Sequence, residues 1–211
     1  NDDDDLDFDE GYRGNIQYAI LRKDPTKQSP TGSNDPRGIE ANSSDDEYVP
    51  QTEAVLSNIL ILGSAVNNDA DSAGGQQPGM RLRGAVTVAI YNTAVQNFDI
   101  GCVRIDDAVV SDTLTVPSDV TLVNVKGQCQ DGFYQKREAD AEANSGEGVV
   151  TVDSAWALTS ADASVSAPTI AATDNGSGFT FESTDFIGAV EPGTAAGDAW
   201  WAGWTIEGSL D

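Results

Sequence analysis

Apolar residues in this chain gather into short runs of strand length, and three runs carry an asparagine near the middle: VLSNILIL, VTVAIYNTAV and VTLVNVKG. Asn58, Asn92 and Asn124 are spaced 34 and 32 residues apart, so the run returns at a nearly constant step. Such a period predicts stacked, equivalent units rather than one closed globular core. A step of roughly 30 residues leaves room for two or three short strands joined by turns in each unit. A second strand is visible in each: RGIEANS follows NIQYAIL, GMRLRG follows VLSNILIL, and GCVRIDD follows VTVAIYNTAV. In stacked coils, equivalent side chains form ladders, and an interior amide donates to the next coil while accepting from the last. That satisfies polar atoms that are costly to bury. A β-sandwich with strands alike by chance is the alternative reading of the same pattern.

Long polar stretches separate the runs and read as loops thrown out from a rigid spine. They span 24–36, with three prolines, the acidic stretch 43–52, and the Gly/Asn/Asp-rich stretch 67–78. Residues 135–148 (QKREADAEANSGEG) predict a short helix that the glycines stop.

Several phrases carry a family resemblance in their order. DDDDLDFDEGYRGNIQYAILRKD is followed by DPRGIEANSS, VLSNILILGS and GMRLRGAVTVAIYNTAVQNFDIGCVRIDD, and then by FESTDFIGAVEPG with DAWWAGWT. This set resembles the C-terminal half of a family of secreted bacterial β-helix proteins, many known only as lipoproteins or hypothetical proteins. The likeness runs from Asp2 to Thr205 and skips about Gln130 to Ser166. It implies an all-β, right-handed parallel β-helix with long surface loops, exported from the cell, with further coils preceding the Asp-rich turn. It implies no reaction. Residues 1–130 are expected to form coils, and residues 131–211 a last coil, loops and a cap of the same structural domain.

Composition agrees with an exported solenoid. Among 211 residues, 35 are acidic and 11 basic, with no histidine, giving a formal net charge of −24. That field repels nucleic acid and anionic membranes and gathers cations. Screening over about 8–10 Å at moderate ionic strength eases the self-repulsion, which suits a saline environment. No run approaches the ~20 apolar residues of a membrane span, and no basic, apolar leader stands at Asn1, so any signal peptide is expected to have been removed.

Cys102 and Cys129 lie about one coil apart, and an even pair in an exported chain favours a disulfide; two buried thiols are the alternative. The opening run NDDDDLDFDE is the strongest chemical signal. Clustered carboxylates repel one another, and calcium, with six to eight oxygen ligands, relieves that repulsion, so Asp2, Asp3, Asp4, Asp5, Asp7 and Asp9 are candidate ligands. A solvated acidic tail is the competing reading. Asp45, Asp46, Glu47, Asp106 and Asp107 are weaker candidates of the same kind. Arg81, Arg83 and Arg104 lie in strand phrases near acids, an arrangement open to polysaccharide chemistry, but arginines on an acidic surface ordinarily pair with their neighbours. Histidine, a G-x-S-x-G elbow and a phosphate-cradling glycine loop are all missing.

Trp200, Trp201 and Trp204 crowd the last phrase and are expected to cover the core of the final coil, with sugar stacking as the alternative. No such cover precedes the first coil, so self-association, or preceding coils of a longer precursor, is expected there. The reading that follows is an extracellular structural or binding solenoid, a subunit of a surface layer, matrix or filament, with the question of catalysis left open and the residues weighing against it. The alternative is a polysaccharide-binding or polysaccharide-degrading β-helix protein.

Overall fold

Ten-residue strands form at the predicted runs: β2 (Arg13–Arg22), β4 (Glu53–Leu62), β6 (Thr87–Gln96) and β10 (Asp119–Gln128). The computed structural model describes residues 3–24, 36–43, 49–64, 77–98, 100–106, 108–111, 114–116, 119–130, 132–134, 140–141, 145–147, 150–151 and 165–206. The long strands stack in parallel in the order β2-β4-β6-β10. The second phrases form β3 (Ile39–Ser43), β5 (Met80–Gly84) and β7 (Val103–Asp106), which stack in parallel behind β1 (Leu6–Phe8). Each coil thus gives one short strand to the first sheet and one long strand to the second, and the chain is a right-handed parallel β-helix. Sandwich sheets pair antiparallel neighbours, so the parallel register excludes that alternative.

Five shorter strand pieces follow, three of them along the edges of these sheets. β8 (Ala108–Ser111) and β9 (Leu114–Val116) form an antiparallel hairpin. β11 (Asp140–Ala141) pairs antiparallel with β7, while β12 (Ser145–Glu147) and β13 (Val150–Thr151) pair with β10. The helix predicted for 135–148 is therefore replaced, at its described residues, by strand pairing. The exposed edges of β7 and β10 offer unpaired backbone groups, and satisfying them outweighs a weak local helical preference.

Alternation along β4 explains how one run serves two surfaces. Ala54 and Leu56 point inward, then Ile59 and Ile61 do, so the period of two skips one position at Asn58. The skip is a corner. Tyr18, Asn58, Asn92 and Asn124 have φ of 62°, 56°, 47° and 54°, the left-handed region that asparagine enters at least cost among residues with a side chain. Two shorter strands meeting at that corner, with the first sheet, enclose the core of Leu56, Ile59, Val88, Ile90, Leu122 and the short-strand residues Ile39, Met80, Leu82, Val103 and Ile105.

The corner amides do not simply ladder from coil to coil. Asn124 Nδ2 donates to Asn92 Oδ1 at 2.9 Å, as the stacking predicts. Between Asn92 and Asn58 the ladder is bridged by Thr184, whose backbone oxygen and hydroxyl accept from Asn92 Nδ2 at 3.1 and 2.9 Å and whose hydroxyl donates to Asn58 Oδ1 at 2.8 Å. Asn58 Nδ2 donates onward to the carbonyls of Phe186 and Gly188, both at 3.2 Å. The corner faces residues 165–206, an irregular strap with one 3-10 turn (Ala196–Asp198) that runs along the side of the coils. Two outward amides grip it as a strand would: Asn15 exchanges bonds of 2.9 and 2.8 Å with the Thr173 carbonyl and N–H, and Gln17 bonds of 3.0 and 2.9 Å with those of Glu182.

Beyond the corner the strap covers a second apolar cluster. Outward Leu60, Leu62 and Ala94, with Ile20, pack against Ile187, Ala189, Val190, Ala199 and Trp201. Here the aromatic phrase does cover apolar area, but along the flank of the stack rather than over the final coil. The long strands carry leucines on their outer face, and that lateral area needed a cover.

Cys102 and Cys129 are bonded, with Cα atoms 5.5 Å apart. They stand just before β7 and just after β10, so the bond closes one coil. Gly127 makes the space: a Cβ there would lie 2.6 Å from Cys102 Sγ. Among the described residues no helix is long and apolar enough to cross a membrane.

Asn92→Ala removes the amide that joins corner to strap, leaves buried groups of Thr184 without a donor, and puts alanine at a positive φ. A loss of about 3 kcal/mol in urea unfolding is expected, and an unchanged midpoint would dissociate strap from corner. Reducing the disulfide, which spans 27 residues, should lower stability by about 3 kcal/mol on loop-closure grounds, read from melts with and without reductant.

Candidate functional site

Strand alternation sends one row of charge outward from the first sheet. Asp7, Glu40, Arg81 and Arg104 occupy successive register positions on β1, β3, β5 and β7. Asn42 and Arg83 form the next row, with Asp106 at the following register position. The three arginines singled out in the sequence thus share two adjacent strands. Glu40 lies among guanidinium groups, 2.8 Å from Arg37 Nη1 and 3.3 Å from Arg83 Nε, while Arg104 is buried. This face is knitted internally, as arginines on an acidic surface are expected to be.

The acidic opening run is a structural seam. Asp4 meets Arg37 twice, accepting from its backbone N–H at 2.9 Å and its Nη1 at 3.0 Å, and Asp5 lies 2.9 Å from Lys23 Nζ. Lys23 Nζ also donates to the Asp3 carbonyl at 2.6 Å. Arg37 and Lys23 are fully buried, so these carboxylates answer charges that would otherwise be stranded in the core. Leu6–Phe8 is ordered as β1, so the segment is not a solvated tail.

Arg37 serves both Asp4 and Glu40, and burial outweighs its pull, so the Asp4 carboxyl is pushed up to about 7. Asp7 and Asp9 are raised in the same direction, first by burial and next by the neighbouring carboxylates Glu40 and Asp7 respectively. Such a proton-holding acid resembles a catalytic one, but the Asp4 side chain is only 2 % exposed and cannot meet a polymer. Among the described residues no three acidic, cysteine or histidine side chains converge as a metal site. Asp2, Asp45, Asp46, Glu47 and Asp107 lie outside the described residues, as does the Asp106 side chain.

A different place combines a cavity with suitable chemistry. Between the first coil and the strap lies a cavity of about 270 Å³, lined by Tyr18, Phe186, Glu191, Asp198 and Trp200 among others. Tyr18 occupies the corner position that asparagine holds in the next three coils, and its hydroxyl donates to Glu182 Oε2 at 2.8 Å. Burial first, and then that bond, raise its phenol well above the ordinary value. Trp201, buried in the second cluster, meets Trp200 edge-on with centroids 5.4 Å apart, and Trp204 lies 5.8 Å from Trp200 on the outer side. Trp200 and Trp204 are 43 % and 67 % exposed, so the anchored ring supports two that face solvent.

The tryptophans were legible as a candidate; Tyr18 was missed. A signal existed, because NIQYAIL aligns with VLSNILI and sets tyrosine where the repeat calls for asparagine. A family model described as a pectate-lyase-like β-helix domain matches residues 1–205. No curated protein matches the chain, and no solved structure does.

Because Asp4 binds its proton more tightly folded than unfolded, the native state holds the extra proton between the ordinary carboxylate range and about 7. Its contribution to stability is present at low pH and is lost as pH rises through that window. Melting temperature should therefore fall from about pH 4.5 to about pH 7.5, and Asp4→Asn should shallow the fall. Identical pH profiles for the two proteins would remove Asp4 from the account.

Proposed function

We propose that this chain, which belongs to the pectate-lyase-like β-helix family, is an exported β-solenoid that binds carbohydrate in the cavity between its first coil and its strap. The observation that carries this reading is the set of rings at one opening: Tyr18, Phe186 and Trp200 line the cavity, and Trp204 continues the aromatic surface outward. Sugar rings present an apolar C–H face that stacks on such surfaces, and exposed tryptophan held in place by packing loses little entropy on binding. The disulfide supports an oxidising, extracellular setting, and the charge argues against nucleic acid.

A structural reading, as a subunit of a surface layer, matrix or filament, is second. The observation favouring it is the ten-residue strand β2, which among the described residues is paired on one side only. An unpaired strand of that length is a template for another coil or chain. The glycan reading leads because it accounts for the exposed aromatic rings, which strand addition leaves unexplained.

Trp200→Ala should weaken binding to an immobilised glycan panel about tenfold or more, with the fold intact by circular dichroism. Wild-type protein that binds no glycan on a panel of neutral, amino and acidic polymers, or a folded Trp200→Ala that binds as wild type, removes the proposal.

A further inference from the structure

We propose that the cavity takes a sugar ring bearing hydroxyl or ammonium donors and no acidic group, and so discriminates against uronates; this rests on the glycan reading above. The inference comes from an inventory of hydrogen-bonding groups. Trp200 Nε1 already donates to the Ala189 carbonyl at 2.9 Å, and the Tyr18 hydroxyl to Glu182. The backbone N–H groups of Thr194 and Asp198 are likewise taken, by the carbonyls of Glu191 and Ala195 at 3.2 and 2.9 Å. Two of the lining residues, Glu191 and Asp198, carry carboxylates that join no ion pair among the described residues, and Thr194 carries a hydroxyl. Among the described residues no arginine or lysine lines it.

A wall that accepts and hardly donates selects a ligand that donates. Sugar hydroxyls and ammonium groups fit; a carboxylate, sulfate or phosphate finds like charge and no cationic donor among the described residues, on a chain whose net charge is −24. About 270 Å³ accommodates one ring at a time, its apolar face against Phe186 and Trp200. Tyr18 contributes a binding wall. In the next three coils the corner is asparagine, which tolerates φ near 50°, whereas tyrosine at φ 62° is strained. Its ring is positioned as one wall of the cavity, and the corner geometry gains nothing from tyrosine.

Calorimetric titration of the full chain with tetramers of glucosamine, glucose and galacturonate, in buffer of high ionic strength, tests this. Glucosamine and glucose should bind, with galacturonate at least tenfold weaker. Tyr18→Asn restores the corner residue of the other coils, so it should leave the melting temperature unchanged or raised and weaken both ligands at least tenfold. The pair Glu191→Gln and Asp198→Asn, at exposed positions where folding is not at stake, should keep glucose binding and erase the tenfold discrimination. Galacturonate binding as tightly as glucose, sensitive to Trp200→Ala, would overturn the selectivity and leave the glycan reading standing. Glucosamine binding that survives Tyr18→Asn would be diffuse attraction to an acidic surface and would also overturn it. No binding by any tetramer would remove both readings.

Discussion

The structure depends on a left-handed corner in the middle of each long strand. One residue at positive φ turns a ten-residue strand through the bend that closes a coil, and it must do so at the same register in every coil for the parallel ladders to stack. Asparagine suits the backbone, but it brings an amide with two donors and an acceptor to a place with no neighbouring strand. Those groups need partners, and among the described residues the strap supplies most of them. Corner and strap are therefore coupled: the residue that makes the coil possible also dictates that something polar on one side and apolar on the other lies against it.

Charge is arranged by the same logic of mutual satisfaction. Two of the few cations, Lys23 and Arg37, are fully buried where the chain passes between its sheets, and aspartates of the opening run reach in to meet them. Burying a cation without such partners costs several kcal/mol, so the acids near the start of the chain act as interior groups although their composition suggests solvent. On the first sheet's outer face Arg83 is held in the same manner, by Glu40, which the buried Arg37 also reaches. A face that looks reactive in sequence is thereby occupied in its own neutralisation.

The candidate site arises where the repeat departs from its own rule. At the first coil the corner carries tyrosine, and the strap, on its return past that coil, brings Trp200 and Phe186 to face it. Strain tolerated at one position of a regular array, with a cavity beside it, is how a scaffold acquires a place for a ligand.

The sequence by itself determined the coil. Period, alternation and the asparagine at three of the four corners are local patterns repeated in register, and stacking converts them into sheets without long-range information; the cysteine pair was legible because it follows that period. Tertiary structure decided the rest. No periodicity encodes the strap's route, so nothing in the chain announced that Tyr18 would meet Glu182, 164 residues away, or that the tryptophans would cover a flank instead of an end. Nor did composition reveal that Asp4 and Asp5 face buried cations, since an acidic run has the same letters whether water or Arg37 and Lys23 surround it. Repetition makes neighbours of residues one coil apart, whereas a non-repeating segment finds its neighbours only through the exposed amides and leucines that the finished coils present.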